Sequence, residues 1–370
     1  MIDIKRILIC TTILTTVKAF LIPHIRLLQD IGYCVDVAGY KDVNELDEIV
    51  DNVYDIPYQR SPFSIQNFVA SCQLKEIVRK NNYDLIHFHT PIASAFGRWT
   101  VKEFRKSGTK VIYTAHGFHF FKGAHFLNWL VYYPAERFLS RYTDILITIN
   151  KEDYARAQTF KAKKVAYVPG VGLCIEKFQN VVVERGVKRA ELGISNDAIV
   201  LLSVGEINEN KNHATVIKAL VKLNNPNISY VICGEGLKES YLRNLVRKFC
   251  LEKQVKLLGF RKDVAEICRV ADIFAFPSHR EGLGLAALEA MASGLPIITS
   301  NVHGIVDYSV DGETGFNCSP HDVEGFAEAI HKLIVNTELR SKMSSNNKKA
   351  VMVFNIASVK KGMEAIYSQL

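Results

Sequence analysis

Two carboxylates, Glu281 and Glu289, stand eight positions apart in the stretch HREGLGLAALEAMASG that runs from His279 to Gly294. Gly282, Leu283 and Gly284 follow the first of them, and Leu285, Leu288 and Ala292 then recur at helical spacing. The stretch therefore reads as a loop entering a short helix that Gly294 closes. Glu281 sits just ahead of that helix and Glu289 two turns along it, roughly 12 Å away at about 1.5 Å of rise per residue. Between them lie first-turn N–H groups that have no partner inside the helix. This arrangement is an anion site with a hydroxyl acceptor at each end. A nucleoside diphosphate sugar offers both features, because its diphosphate suits the positive helix end while its sugar and ribose carry hydroxyls. A plain amphipathic helix with two solvated glutamates is the simpler reading of the same residues.

The spacing E-x7-E followed by EAMASGLPIITS resembles the donor-site signature of retaining GT-B glycosyltransferases of family 4. The resemblance covers nearly the whole chain and is strongest from Val204 to Gly315. It implies that Glu281 and His116 position the donor sugar, that Glu289 holds the ribose, and that Gly282, Leu283, Gly284 and Leu285 form the turn under the diphosphate. UDP is the expected nucleotide. In LLSVGEINENKNH, Leu201 to His213, Gly205 lets backbone approach a phosphate and Lys211 reaches it as a point charge. Many family members place Arg directly after this glycine, whereas Glu206 stands here. A carboxylate there repels phosphate, so Glu206 is expected to point away, to pair with a neighbour such as Lys211, or to meet a sugar hydroxyl. Gly234 and Gly236 either line the same site or are plain turn glycines. Arg261, in LLGFRKDV, is a candidate neighbour of the base or phosphate, or else a surface arginine.

In the first half, TAHGFHFF places His116 at a strand end before Gly117, matching the His-Gly pair that sits under the donor sugar in the resembling family. His89 and His119 are assigned to the acceptor side. His87 is read as core, with the rings of His87 and His89 expected on opposite faces of their strand and unable to share a metal. No D-x-D occurs, so no metal site is expected and no cofactor; the helix N-terminus and Lys211 take over the metal's charge. His116, Glu281 and Lys211 form the catalytic set. In the resembling family the acceptor attacks from the face that the nucleoside diphosphate leaves, with no protein nucleophile.

These residues must be held by a scaffold, and the chain alternates short apolar runs with amphipathic stretches. Strands are expected at Arg6–Cys10 (extending toward Thr12), Tyr33–Ala38, Leu85–His89, Lys110–Thr114, Ile145–Ile149 and Lys164–Val168. Helices are expected at Phe20–Ile31, Ile65–Lys80, Ala93–Lys106 and Phe126–Tyr142. The pattern restarts with Ile199–Val204, Ser229–Cys233, Val255–Leu258, Ile273–Phe276 and Pro296–Thr299. Strand and helix in alternation mean parallel sheets, whose ligands gather at the carboxyl ends of strands, here the loops Thr11–Thr16, His89–Ala93 and Ala115–Gly123. The expected fold class is α/β of GT-B type, two Rossmann-like domains facing across a cleft. Residues 1–175 form the acceptor-side domain and 176–352 the nucleotide-sugar domain, with 353–370 returning to the first as a closing helix, as the resemblance implies.

At 370 residues, with 48% hydrophobic and 23% charged, the composition is that of an ordinary globular protein of about two domains. Eight scattered cysteines without C-x-x-C fit reduced thiols and a cytoplasmic setting. The apolar N-terminus reads as a buried strand rather than a signal peptide, since Lys18 interrupts it, and nothing is long enough to span a bilayer. The net charge of +8 is uneven. Residues 1–180 hold 23 Lys and Arg against 17 Asp and Glu, and the remainder 23 against 21. Between Arg98 and Lys122 lie Arg98, Lys102, Arg105, Lys106, Lys110 and Lys122 against Glu103 alone, with Trp99, Phe104, Phe118, Phe120, Phe121, Phe126 and Trp129 among or just beyond them. That mixture suits an anionic membrane surface bearing a lipid-linked saccharide acceptor. The protein is thus expected to be peripheral on the cytoplasmic face, and nucleic acid is not an expected partner. A nucleotide-sugar hydrolase or epimerase on the same fold, and a catalytically dead nucleotide-sugar-binding protein, are the alternatives. A nicotinamide dehydrogenase is disfavoured by the absence of G-x-G-x-x-G after the first strand.

Overall fold

A computed structural model describes residues 5–370; residues 1–4, where the expected first domain begins, lie outside the described residues. The chain divides into two compact units, one ending at Gly172 and completed by Ile356–Leu370, the other spanning Leu173–Asn355.

The first unit is built on seven parallel strands, β1 (Arg6–Ile13), β2 (Cys34–Tyr40), β3 (Asn52–Asp55), β4 (Leu85–His89), β5 (Lys110–Ala115), β6 (Ile145–Thr148) and β7 (Lys164–Tyr167). They lie in the order β3-β2-β1-β4-β5-β6-β7. Central strands such as LIHFH are buried at every position because crossover helices cover both faces of a parallel sheet, which is why they read as unbroken apolar runs. β1 continues to Ile13, so Thr11 and Thr12 belong to the strand and not to the expected loop; Thr12 Oγ1 lies 2.8 Å from Thr90 Oγ1. The expected helix Phe20–Ile31 is a π-turn Val17–Leu21 leading into Ile22–Asp30. The expected helix Ala93–Lys106 is α-helical over Pro91–Thr100 and then tightens to a 3₁₀ stretch over Val101–Ser107. β3, the polar edge strand NVYD, carried no hydrophobic signal. The closing helix Ile356–Tyr367 buries Val359, Met363, Ile366 and Tyr367 among Ile7, Ile9, Leu85, Ile112 and Ile147 of this unit.

The second unit holds β8 (Ile199–Val204), β9 (Ile228–Cys233), β10 (Val255–Leu257), β11 (Ile273–Phe276), β12 (Ile297–Ser300) and β13 (Gly315–Cys318), ordered β10-β9-β8-β11-β12-β13. Strand order reverses between β8 and β11, and open α/β sheets bind ligands beyond the carboxyl ends of the strands at such a reversal. The loops that leave there are 205–212, after β8, and 277–284, after β11. They carry Gly205 and Lys211 on one side, and Glu281 and Gly284 on the other.

Candidate active site

In the second unit the two loops at the strand reversal are tied together before their side chains meet. His279 N donates to the Asn210 carbonyl at 2.8 Å, and Asn210 Nδ2 donates to the Arg280 carbonyl at 2.9 Å. This brings Lys211 Nζ to 2.6 Å from Glu281 Oε1, with both side chains mostly buried, and sets the ammonium 4.7 Å from the Phe276 ring centre. Gly205 has φ +153°, and a Cβ on it would come within 3.0 Å of Lys211 Cε. The glycines after β9 serve a different purpose from lining a turn. A Cβ at Gly234 would lie 2.0 Å from the Gly205 carbonyl oxygen and one at Gly236 2.4 Å from that of Ile207. The two loops nest backbone to backbone, with Gly205 N donating to the Cys233 carbonyl and Ile207 N to that of Glu235.

The helix predicted after Glu281 spans Leu285–Ala292, and Gly294 follows it with φ +85°. Gly284 precedes it with φ +93°, where a Cβ would press 2.6 Å from Phe276 Cε1. No side chain caps this N-terminus and no acid stands in its first turn, which leaves the positive helix end without a side-chain partner a few residues after Glu281. Glu289 lies on the same helix. Burial raises its carboxyl to about 7, against which Lys177 acts only weakly.

In the first unit, His116 leaves the end of β5 beside β4. His116 Nε2 lies 3.0 Å from His89 Nδ1, and the two rings are stacked with centres 5.3 Å apart. His87 and His89 share one face of β4, with ring centres 4.1 Å apart, contrary to the expectation of opposite faces. Residues two apart on a strand point the same way, and only neighbours alternate. His87 is held at both nitrogens, Nε2 at 2.8 Å from Thr114 Oγ1 and Nδ1 at 3.0 Å from Tyr367 Oη. Burial drives the imidazoles toward neutrality, lowering His116 to about 4 and His87 and His89 well below their ordinary value. His89, Thr114, His116 and Tyr367 line a cavity of about 20 Å³ together with His24 and Val168. Among the described residues no group of three or more His, Cys, Asp or Glu is arranged to hold a metal ion.

The arrangement matches known proteins on both halves. Residues 11–150 match the family described as Glycosyl transferase 4-like, and residues 184–350 that described as Glycosyl transferases group 1. A protein of Bacillus subtilis (strain 168) named "Putative glycosyltransferase EpsD" is 37% identical over 98% of this chain and 96% of its own. The chain belongs to the GT-B glycosyltransferases. A UDP-Gal:alpha-D-GlcNAc-diphosphoundecaprenol alpha-1,3-galactosyltransferase of Escherichia coli is 29% identical over 79% of this chain and 77% of its own. Among solved structures, Anabaena Alr3699/HepE in complex with UDP and glucose superposes with a TM-score of 0.82 at 19% identity, covering 99% of this chain and 100% of that one. WaaG, a glycosyltransferase involved in lipopolysaccharide biosynthesis, superposes at 0.76 and 18% identity, covering 97% and 99%. These two likenesses concern the fold.

The structure gives partners and exposure to the other residues of this glycosyltransferase that the sequence singles out. Glu206 is exposed, and Lys211 has taken Glu281 as its partner instead. The Arg261 guanidinium, a candidate neighbour of the base or phosphate or else a surface arginine, is paired with Asp263 at 2.6 Å and Glu191 at 3.0 Å. His89, assigned to the acceptor side, is 5% exposed and engaged with His116. His119 is half-buried and stacks on Tyr132 with ring centres 4.7 Å apart. Of the basic and aromatic set, Arg105 is clamped bidentately by Asp144, and Phe118, Phe120 and Phe121 are core. Two residues were missed. Asn210 is the strut between the loops; Tyr308, buried beside Gly284, keeps a hydroxyl without a protein hydrogen-bond partner. Only the Asn-rich run ENKN hinted at the first, and nothing marked the second.

Proposed function

We propose that this glycosyltransferase is retaining and metal-independent, and that it transfers a sugar from a UDP-sugar to a polyprenyl-diphosphate-linked saccharide during surface-polysaccharide synthesis. The observation that carries this reading is the Lys211–Glu281 pair at the uncapped end of helix Leu285–Ala292. A diphosphate at that end would draw Lys211 to itself and free Glu281 for a sugar hydroxyl. The bond from the anomeric carbon to the diphosphate breaks, the acceptor oxygen bonds to that carbon on the same face, and its proton passes to a diphosphate oxygen. Lys211 and the helix N–H groups stabilise the negative charge that grows on the leaving group. Glu289 takes the ribose, and His116 a hydroxyl of the donor sugar, as the family resemblance implies. The nucleotide is supported by the UDP complex of the Anabaena neighbour, the lipid-linked acceptor by the printed name of the Escherichia coli relative.

The reading also places the acceptor-side unit on an anionic membrane at the cytoplasmic face. Helix Phe126–Leu139 supports it, being apolar on its outer side as well as its inner one. Phe126, Leu127, Leu130, Val131 and Phe138 are exposed at helical spacing, with exposed Lys122, Arg137 and Arg141 around them. Among the described residues no helix is long and apolar enough to cross a membrane. The test is incubation with a panel of nucleotide sugars, with and without membrane extract, followed by NMR of the product's anomeric configuration. Nucleotide release that requires extract and yields retained configuration is expected. Release to water alone would make the protein a hydrolase, and no release with tight UDP binding would make it a binding protein.

A further inference from the structure

The pair His89–His116 has a property that neither residue has alone. Burial of both rings disfavours their charged forms, and a neutral imidazole carries one N–H and one lone pair. Their contact of 3.0 Å between His89 Nδ1 and His116 Nε2 is a hydrogen bond only if one ring donates and the other accepts. His116 Nε2 is thereby spent, and Nδ1 is the ring nitrogen left to meet a ligand. Its character is coupled to that bond, because the proton that His116 does or does not carry on Nε2 decides whether Nδ1 accepts or donates.

His89 can impose this only if its ring is held, and its strand register and the ring of His87 hold it. The parallel register of β4 with β5 sets His89 opposite Thr114, two residues before His116. The ring of His87 lies under it with centres 4.1 Å apart. His87 in turn is fixed by Thr114 and by the Tyr367 hydroxyl, which the closing helix delivers from the far end of the sequence. We infer that His89 is a positioning residue that locks the ring orientation and tautomer of His116, so that Nδ1 is presented to the donor sugar in one hydrogen-bonding state. The inference rests on the reading of His116 as a sugar contact.

The test uses the full chain with His89→Phe, which keeps a ring but removes both nitrogens, and His89→Asn, which keeps a polar group near the Nδ1 position. His116→Ala serves as the control for the underlying reading. Turnover, donor KM, UDP affinity and the ¹⁵N NMR signals of the His116 ring are measured for each. His89→Phe should lower kcat about tenfold or more, the value of one lost hydrogen bond, with UDP affinity unchanged. The His116 ¹⁵N signals should move toward a mixture of tautomers, and His89→Asn should recover most of the turnover and the single-tautomer signals. Equal losses in both variants with the ¹⁵N signals unmoved would overturn the inference in favour of a packing role, as would normal turnover in His89→Phe while His116→Ala is inactive. Full activity in His116→Ala would instead strike the sugar contact, and the ¹⁵N signals would then decide alone whether His89 sets the tautomer.

Discussion

Replacing Glu289 by Gln should stabilise the glycosyltransferase and cost it its nucleotide. The carboxyl lies on helix Leu285–Ala292, buried enough to raise it from 4.5 to about 7. The sign follows from which state binds the proton more tightly. A carboxyl raised in the folded state favours folding while it is protonated, below its ordinary pKa, and that contribution is lost as pH climbs through about 7. At about 1.4 kcal/mol per pH unit the loss amounts to about 3 kcal/mol. Gln cannot ionise, so it escapes the loss. Urea unfolding of both proteins between about pH 5 and pH 8 should give curves that diverge, with Glu289→Gln ahead by about 3 kcal/mol at the alkaline end. Calorimetry should show the reverse for UDP. Affinity in the parent rises with pH through about 7, because ribose hydroxyls donate to the ionised form, while the variant binds weakly and without that dependence. Parallel unfolding curves would refute the account, since they would mean that water or a neighbour already satisfies the carboxylate.

Four further outcomes are expected. Lys211→Ala should lower turnover about a hundredfold or more, the scale of a lost transition-state charge contact, and Lys211→Arg should retain more; equal losses would mean that charge is not what matters. Gly234→Ala must accommodate a Cβ that would sit 2.0 Å from the Gly205 carbonyl oxygen, so differential scanning should find it destabilised by about 2–3 kcal/mol, and an unchanged melting temperature would show that the loops give way. Glu206→Arg should reduce activity if Glu206 serves a sugar or the loop, whereas a gain would mark an eroded phosphate site. EDTA should leave turnover largely intact, and a tenfold loss restored by Mg²⁺ or Mn²⁺ would end the metal-free proposal.

The parallel strands and the helix after Glu281 were legible in the sequence because burial on both faces leaves long apolar runs, and because Gly284 and Gly294 bracket one turn pattern. β3 and β13 were not, since edge strands such as NVYD and GFNC carry too little buried surface to imprint a pattern. Among site residues, Lys211 and Glu281 were found separately but not as partners: their meeting depends on the Asn210 strut across 70 positions, and no local signal encodes that. The partners of Arg261 were hidden for a related reason, as the carboxylates that hold it lie partly in a remote helix, Arg185–Glu191. The histidines were misplaced by a misapplied period, and a strand period of two would have stacked His87 on His89 from the start.

The mutual capture of Lys211 and Glu281 explains how the site stays stable without a donor. A lone ammonium of this burial would be costly to desolvate, and so would a lone carboxylate at the same depth. Paired, they neutralise one another beside a helix end whose N–H groups have no capping side chain. On the proposed reading, a diphosphate would bring more negative charge than Glu281 and could also bond those N–H groups, so it would win the lysine. The displaced carboxylate would then need new donors, and a sugar hydroxyl would supply them at the moment the sugar must be held. Exchange of partners, rather than two independent contacts, would thus link recognition of the phosphate to recognition of the sugar. It follows that Lys211→Ala should strand Glu281 unpaired and harm sugar binding as well as catalysis, while the double variant Lys211→Ala, Glu281→Gln should be less destabilised than the sum of the two single changes. Additive losses in urea unfolding would mean the pair is a surface accident and the exchange does not occur.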